Sequence, residues 1–455
     1  MERVQLSLGD GFTFTIVPGV GNAGLLSGVL QALLRSRIGT IRLPIESRLP
    51  MKTFEQIAEL ERRYLLGTYN RYPIALTRGK GVFLYDLEDK RYLDFVAGLG
   101  VNALGHAHPR IVKTIREQAA KLIHVSNLYY HEYQGELAEK LCTLSGGSSG
   151  MSRAFFSNSG TEAIEGSIKL ARLAGHRAGG EAKSRLVALD GSYHGRTFGA
   201  LSLTGQEKHR KGFEPLLEEV TFVRQNDVEG LRAAVNDNTC AIVLEPIFGE
   251  GGIYECSAEF LQECRRLADQ HRAALIFDEI QCGLGRTGTI FAFQSFGVTP
   301  DIVAIAKPIA AGLPLGAFLA KEEFASAISP GQHGTTFGGG PLACRVALEF
   351  LAIVEDEKLL ENVNKVGAYL QQELKALIEK RAAAQEVRGR GFIQGIQLEV
   401  PARPIVDAAL AEGVLFNSTQ DTVVRFLPPF LLEEKHVDKG IRVLKKVLGK
   451  RQKAA

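Results

Sequence analysis

The sequence predicts an α/β protein built on a mostly parallel central sheet, with a smaller α+β domain beside it. Three observations carry that prediction. From about residue 95 to residue 340, helical stretches alternate with short apolar runs: RLVALD at 185–190, AIVLEP at 241–246, ALIF at 274–277 and DIVAIA at 301–306. Each run is closed by a polar residue, Gly or Pro, as strands of a parallel sheet covered on both faces should be. After Pro341 the chain becomes helical again and ends in a short strand-and-helix region.

Taken in chain order, the first 50 residues differ from the rest. They hold Gly-rich turns and scattered Arg, and no helix or strand pattern persists, so residues 1–50 are expected to be a poorly ordered extension. MKTFEQIAELERRYLL, from Met51, places Phe54, Ile57, Leu60, Tyr64 and Leu65 near helical spacing. PIALTRG, GVFLYD and KRYLDF, between residues 72 and 95, read as short strands with turns. Helices are expected over 341–355 and 357–381, a strand at RFLPPF (425–430), and a Lys-rich final helix. The domain division that follows is 1–50 extension, 51–102 as an N-terminal segment of the small domain, 103–344 as the large domain and 345–455 as the small domain.

Bulk properties exclude several classes. A chain of 455 residues suits two domains. Hydrophobic residues at 45% and charged residues at 23% argue against disorder. A net charge of +3 is too small to make nucleic acid or an anionic membrane the main partner. The six cysteines form no CxxC pair and no His cluster accompanies them, which points to reduced thiols of a cytoplasmic protein and to no metal site. The apolar stretch 23–34 is too short to span a bilayer.

In parallel sheets ligands sit beyond the carboxyl ends of the strands, so the residues after each run are the candidates. Lys307 follows one run; desolvation there would free its amine as a nucleophile, although a Lys reaching solvent at a strand end explains it as well. Asp278 ends another and could hold a protonated ring nitrogen or cap the next segment. SNSGTEAIEGSIKLAR at 157–172 would set backbone N–H groups of Ser159, Gly160 and Thr161 at a helix start, a phosphate site or plain capping. In GSYHGRTFGA, Tyr193 could stack on a flat ring and Arg196 could clamp a carboxylate, or both could be rim residues. Glu245 and Glu250 in EPIFGEGGI read equally as surface charges or ligands. HGTTFGGGPLAC reads as a loop, and Arg425, a lone cation in an apolar stretch, wants an anion.

The order and wording of NSGTEA, YHGRT, EPIFGEGG, FDEIQCGLGRTG, the Lys307 region and HGTTFGGGP resemble the class III pyridoxal-phosphate aminotransferases, over about residues 51–449. NALGHAHP and SNLYY bring the likeness nearest to the acetylornithine and ornithine members. The resemblance implies a fold-type I transferase with pyridoxal 5'-phosphate as cofactor. It implies that Lys307 holds the cofactor as a Schiff base and shuttles a proton, with Asp278 on the pyridine nitrogen and Gln281 near the phenolic oxygen. Tyr193, where acetylornithine members often have Phe, would stack on the ring. Gly160 and Thr161 would hold the phosphate, and Thr336 would reach the phosphate of a neighbouring subunit, which implies a homodimer. Arg196 would bind the α-carboxylate of an acylated ornithine. Arg425 would bind glutamate or 2-oxoglutarate with Glu250 as switching partner, and Asn127 would lie near the substrate. The implied reaction moves the amino group of N2-acetyl-L-ornithine to 2-oxoglutarate, a step of arginine biosynthesis. Another ω-aminotransferase, acting on ornithine, succinylornithine, 4-aminobutyrate or a lysine-pathway intermediate, is the rival. A cofactor-binding paralogue without catalysis is the rival from another class. Phe248 (family Gln), Gly340 (family Asn) and Ala310–Ala311 (commonly Gly) depart from the pattern.

Overall fold

The computed structural model describes residues 4–8, 12–16, 52–147, 150–380 and 383–449. Contacts divide the chain into two units, Met1–Leu66 and Gly67–Ala455.

In the first unit, strand β1 (Val4–Leu8) pairs antiparallel with β2 (Phe12–Ile16), Leu8 opposite Phe12. This corrects the reading of 1–50 as free of strand pattern: VQLSL and FTFTI alternate around Gly-Asp-Gly, a hairpin signature. The remainder of that expected extension lies outside the described residues. Helix α1 (Phe54–Tyr64) begins at Thr53, whose hydroxyl accepts the Gln56 N–H while the Gln56 side chain accepts the Thr53 N–H. That reciprocal capping fixes the start three residues after Met51.

The second unit opens with β3 (Leu76–Lys80), β4 (Phe83–Asp86) and β5 (Arg91–Asp94), an antiparallel set. The main sheet is made of β6 (Arg153–Ser157), β7 (Arg185–Leu189), β8 (Val220–Val223), β9 (Thr239–Leu244), β10 (Ala274–Asp278), β11 (Ile302–Ile305) and β12 (Gly316–Ala320). Its order is β6-β12-β11-β10-β9-β7-β8. Only β12 runs against its neighbours; the other six strands share one direction. The four runs picked out from the sequence are β7, β9, β10 and β11. The short RAFFS and the Gly- and Ala-rich GAFLA, which form β6 and β12, carry too little β-propensity to stand out.

The pleat explains why the runs read as continuous. Leu275 and Phe277 enter one core with Val187, Ile242, Leu244, Val303 and Ile305. Ala274 and Ile276 enter a second with Leu186, Ala188, Ala241, Val243, Ile302 and Ala304. Both faces are covered, so neither set can be polar. Each buried Leu, Ile or Phe contributes about 1.5–3 kcal/mol of transfer free energy. A long helix after β6 (α2, Gly160–Gly179) supplies Ala163, Ile164, Ile168 and Ala171 to the second core.

After the sheet come α3 (Pro341–Asp356) and α4 (Leu359–Ile378), close to the expected spans. The hairpin β13 (Ala384–Arg390) and β14 (Ile393–Leu398) follows. Then come β15 (Val414–Leu415), β16 (Asn417–Thr419), β17 (Val423–Phe426) and α5 (Glu434–Val447). β13, β14, β17 and β16 form one antiparallel sheet, and β15 extends the β3–β5 sheet by pairing parallel with β5. Among the described residues no helix is long and apolar enough to cross a membrane.

Candidate active site

Six parallel strands present their carboxyl ends on one edge, and a cavity of about 420 Å³ opens there. Gly160, Thr161, Tyr193, Asp278, Gln281 and Lys307 line it. Arg196, Glu245 and Glu250 reach the same space. Residues separated by up to 147 positions, from Gly160 to Lys307, thus meet because β6, β7, β9, β10 and β11 all end there.

Lys307 follows β11 directly and stands at φ 25°, a left-handed conformation that a Lys adopts only under constraint. Burial holds its pKa below the ordinary lysine value; Glu250 opposes that shift and Arg425 adds to it. Asp278, the last residue of β10, is buried, and its Oδ2 lies 2.7 Å from His194 Nδ1. Its Oδ1 accepts the Ile280 N–H at 3.0 Å. Burial alone would lower the pKa of His194, but the bond to Asp278 outweighs it and raises it. Glu245 is also buried and accepts the N–H groups of Tyr193 (2.8 Å) and Gly249 (2.9 Å). Desolvation and the nearby Asp278 charge push its carboxyl up.

The start of α2 also lines the cavity. The Ser159 hydroxyl caps the Glu162 N–H at 3.3 Å, leaving the N–H groups of Gly160 and Thr161 at the positive end of a 20-residue helix. A Cβ at Gly160 would come within 2.8 Å of Ile280 Cδ1, so this wall is close-packed. The Thr161 hydroxyl accepts the N–H groups of Arg196 (3.2 Å) and Thr197 (3.3 Å), tying the helix start to the loop after β7.

Two arginines differ in how they are held. Arg425, in β17, is 1% exposed, and its Nη1 donates to Glu250 Oε1 at 2.6 Å, Gly249 O at 2.6 Å and Gln281 Oε1 at 3.1 Å. Burial disfavours charge on Glu250, but Arg425 and Lys307 outweigh it and bring its carboxyl down to about 2. Arg196 is exposed on the cavity wall, its guanidinium 5.5 Å from the Tyr193 ring centre. Among the described residues no carboxylate pairs with it.

The Aminotransferase class-III family matches residues 67–448. The chain belongs to that family. An acetylornithine aminotransferase of Methanocaldococcus jannaschii is 46% identical over 393 residues, covering 86% of this chain and 98% of the relative. One from Aquifex aeolicus is 44% identical over 385 residues, covering 85% and 100%. Among solved structures, the ornithine aminotransferase of Toxoplasma gondii superposes with a TM-score of 0.84 at 29% identity, covering 88% of this chain and 96% of that one. The acetylornithine aminotransferase of Elizabethkingia anophelis gives 0.78 at 31%, covering 88% and 99%. The fold is that of the fold-type I transferases, and the cofactor of this class-III aminotransferase is pyridoxal phosphate. The cavity suits it: a desolvated amine, a buried carboxylate and a helix start with free N–H groups line one space.

Not every expected residue of this aminotransferase lies at the cavity. Thr336 is exposed and Asn127 turns elsewhere: its Nδ2 donates to Thr335 O (3.3 Å) and Gly338 O (3.1 Å), holding the loop that carries Thr336. Phe248 does not line the cavity; it is buried in the core and would be 3.7 Å from a Cβ on Gly191, so the departure from Gln changes packing beneath the loop. Gly340 is the N-cap of α3 and provides no side-chain cap. Ala311 adopts φ 49°, ψ 36°, which explains why glycine is common there. The sequence leaves Glu245 open between ligand and surface charge and gives His194 no role. Only the register of β7, β9 and β10 places them beside Asp278.

Proposed function

We propose that the chain transfers the δ-amino group of N2-acetyl-L-ornithine to 2-oxoglutarate, giving N-acetylglutamate 5-semialdehyde and glutamate, in arginine biosynthesis. The observation that carries this reading is the pair of unlike arginines around one desolvated amine, Arg196 open and Arg425 closed by Glu250. Two substrates that differ in their carboxylates must use one cavity in turn, and one free and one latched cation suit that need. The names of the relatives at 42–46% identity support the acylated donor.

When bound, pyridoxal phosphate supplies an aldehyde that exchanges amines and a ring that spreads the charge left on the substrate carbon. In this reading Lys307 holds the cofactor and its Nζ moves the proton to and from that carbon. Its lowered pKa favours the neutral amine that this role needs. Asp278 would keep a proton on the ring nitrogen, its carboxylate fixed by the bond to His194. Tyr193, which lines the cavity, would stack on the ring, and Gln281 would lie toward its phenolic oxygen. The N–H groups of Gly160 and Thr161 take the phosphate. Arg196 binds the α-carboxylate of the donor. The acceptor's second carboxylate displaces Glu250 from Arg425.

We place the active unit as a homodimer in the cytoplasm, each copy lending Thr336 and the Asn127-held loop to the other's phosphate site. The domain division 51–102 with 345–455 around 103–344 belongs to the same reading. The deciding experiment mixes the purified holoenzyme separately with N2-acetyl-L-ornithine, L-ornithine and 4-aminobutyrate and follows the cofactor's visible absorption. N2-acetylornithine is expected to react fastest. Faster reaction with ornithine or 4-aminobutyrate overturns the donor, and absence of an absorbing cofactor overturns the whole reading.

A further inference from the structure

Arg196 is fixed at both ends. Its backbone N–H donates to the Thr161 hydroxyl at 3.2 Å, so the phosphate-binding helix start anchors its main chain. At the far end its Nε donates to Tyr193 Oη at 3.3 Å. A phenylalanine at position 193 would stack equally well and could not accept that bond. His209 packs edge-on against the Tyr193 ring, 5.9 Å between centres and 85° between planes, and steadies it from outside. Burial first and then the Arg196 charge lower the pKa of His209, which favours its neutral form beside the ring.

An arginine can meet a carboxylate side-on, through Nε and one Nη, or end-on, through both Nη atoms. With Nε engaged by Tyr193, only the end-on pair is open to the cavity. We propose that the Tyr193 hydroxyl is a positioning group for Arg196, setting its terminal Nη pair toward the substrate carboxylate and so sharpening the choice of carboxylate-bearing donors. The inference rests on Arg196 being the carboxylate reader.

The test compares N2-acetyl-L-ornithine with N-acetyl-1,4-diaminobutane, the same amine without the carboxylate, in single-turnover half-reactions of the holoenzyme. The quantity read is the ratio of their kcat/KM values. Tyr193→Phe is expected to lower that ratio about five-fold, mainly through a higher KM for N2-acetylornithine, the size of one exposed hydrogen bond of ordinary net strength. In an Arg196→Gln background the same substitution should leave the ratio where Arg196→Gln alone puts it. An unchanged ratio in Tyr193→Phe, or an equal loss with both amines, overturns the inference. If Arg196→Gln collapses the ratio while Tyr193→Phe does not, only the role of the hydroxyl falls. If Arg196→Gln itself leaves the ratio intact, the assignment of Arg196 falls and this inference with it.

Discussion

At Lys307 two local costs coincide: a left-handed backbone and an amine shielded from water. Either alone would be selected against in a strand-end residue. Replacing it with alanine removes the buried amine and leaves the left-handed backbone as it was, so Lys307→Ala is expected to fold at least as stably as the parent and to bind the cofactor without a covalent link. Turnover should fall by about 10³-fold or more, checked by steady-state rates and by the cofactor's absorption. At Glu250 the sign of the pH effect follows from its depressed pKa. Its pairing with Arg425 contributes fully above the unfolded value of 4.5 and is lost as pH falls through about 2. Glu250→Gln removes the anion beside a buried guanidinium and should cost about 1–3 kcal/mol near neutral pH. The difference in melting temperature between parent and variant should shrink steadily below about pH 4.5; a gap that stays constant would mean the pair does not titrate as described.

The start of α2 shows how an element is held in place by its neighbours. Gly316, the first residue of β12, lies opposite Ser157. A Cβ there would stand 2.3 Å from the Ser159 carbonyl oxygen, a backbone atom that cannot rotate away. Gly316→Ala should therefore displace the cap of α2, costing about 1–3 kcal/mol of stability. It should also weaken cofactor binding about ten-fold or more, measured by titrating the apoenzyme. The sequence made the parallel strands legible because β7, β9, β10 and β11 are covered on both faces and cannot hide polar residues. It left β12 illegible, since GAFLA owes its place to close approach and not to β-propensity. Lys307 and Asp278 were legible as strand-end residues. The His194–Asp278 pair was not, because it depends on which strand neighbours which, a fact carried by no local pattern.

Across the whole molecule, the apolar side chains of Leu122, Ile123, Leu128, Tyr129, Tyr130 and Phe337 are exposed. They lie on segments that the Asn127 bonds and the His124–Phe337 ring contact bring together. A patch of this kind beside Thr336 suits an interface through which each copy completes the other's site. Thr336→Ala and Lys307→Ala chains, each impaired alone, should regain about a quarter of parental activity when unfolded together and refolded as an equal mixture, because half the dimers then hold one intact site. Activity no greater than the average of the two variants would mean that each chain completes its own site.

The single antiparallel strand has a consequence for assembly. Because β12 is wedged between β6 and β11, the helix start on one side and Lys307 on the other cannot reach their final spacing until a segment more than 150 residues downstream of β6 has been threaded between them. Such non-local closure carries a loop-closure cost that slows folding. The phosphate cradle and the amine are therefore expected to stay apart until β12 has paired with β6, and cofactor colour should appear in refolding no earlier than the last change in circular dichroism. Colour would then serve as a clock for the end of folding, and colour that precedes the return of full circular dichroism would show that the cradle closes early.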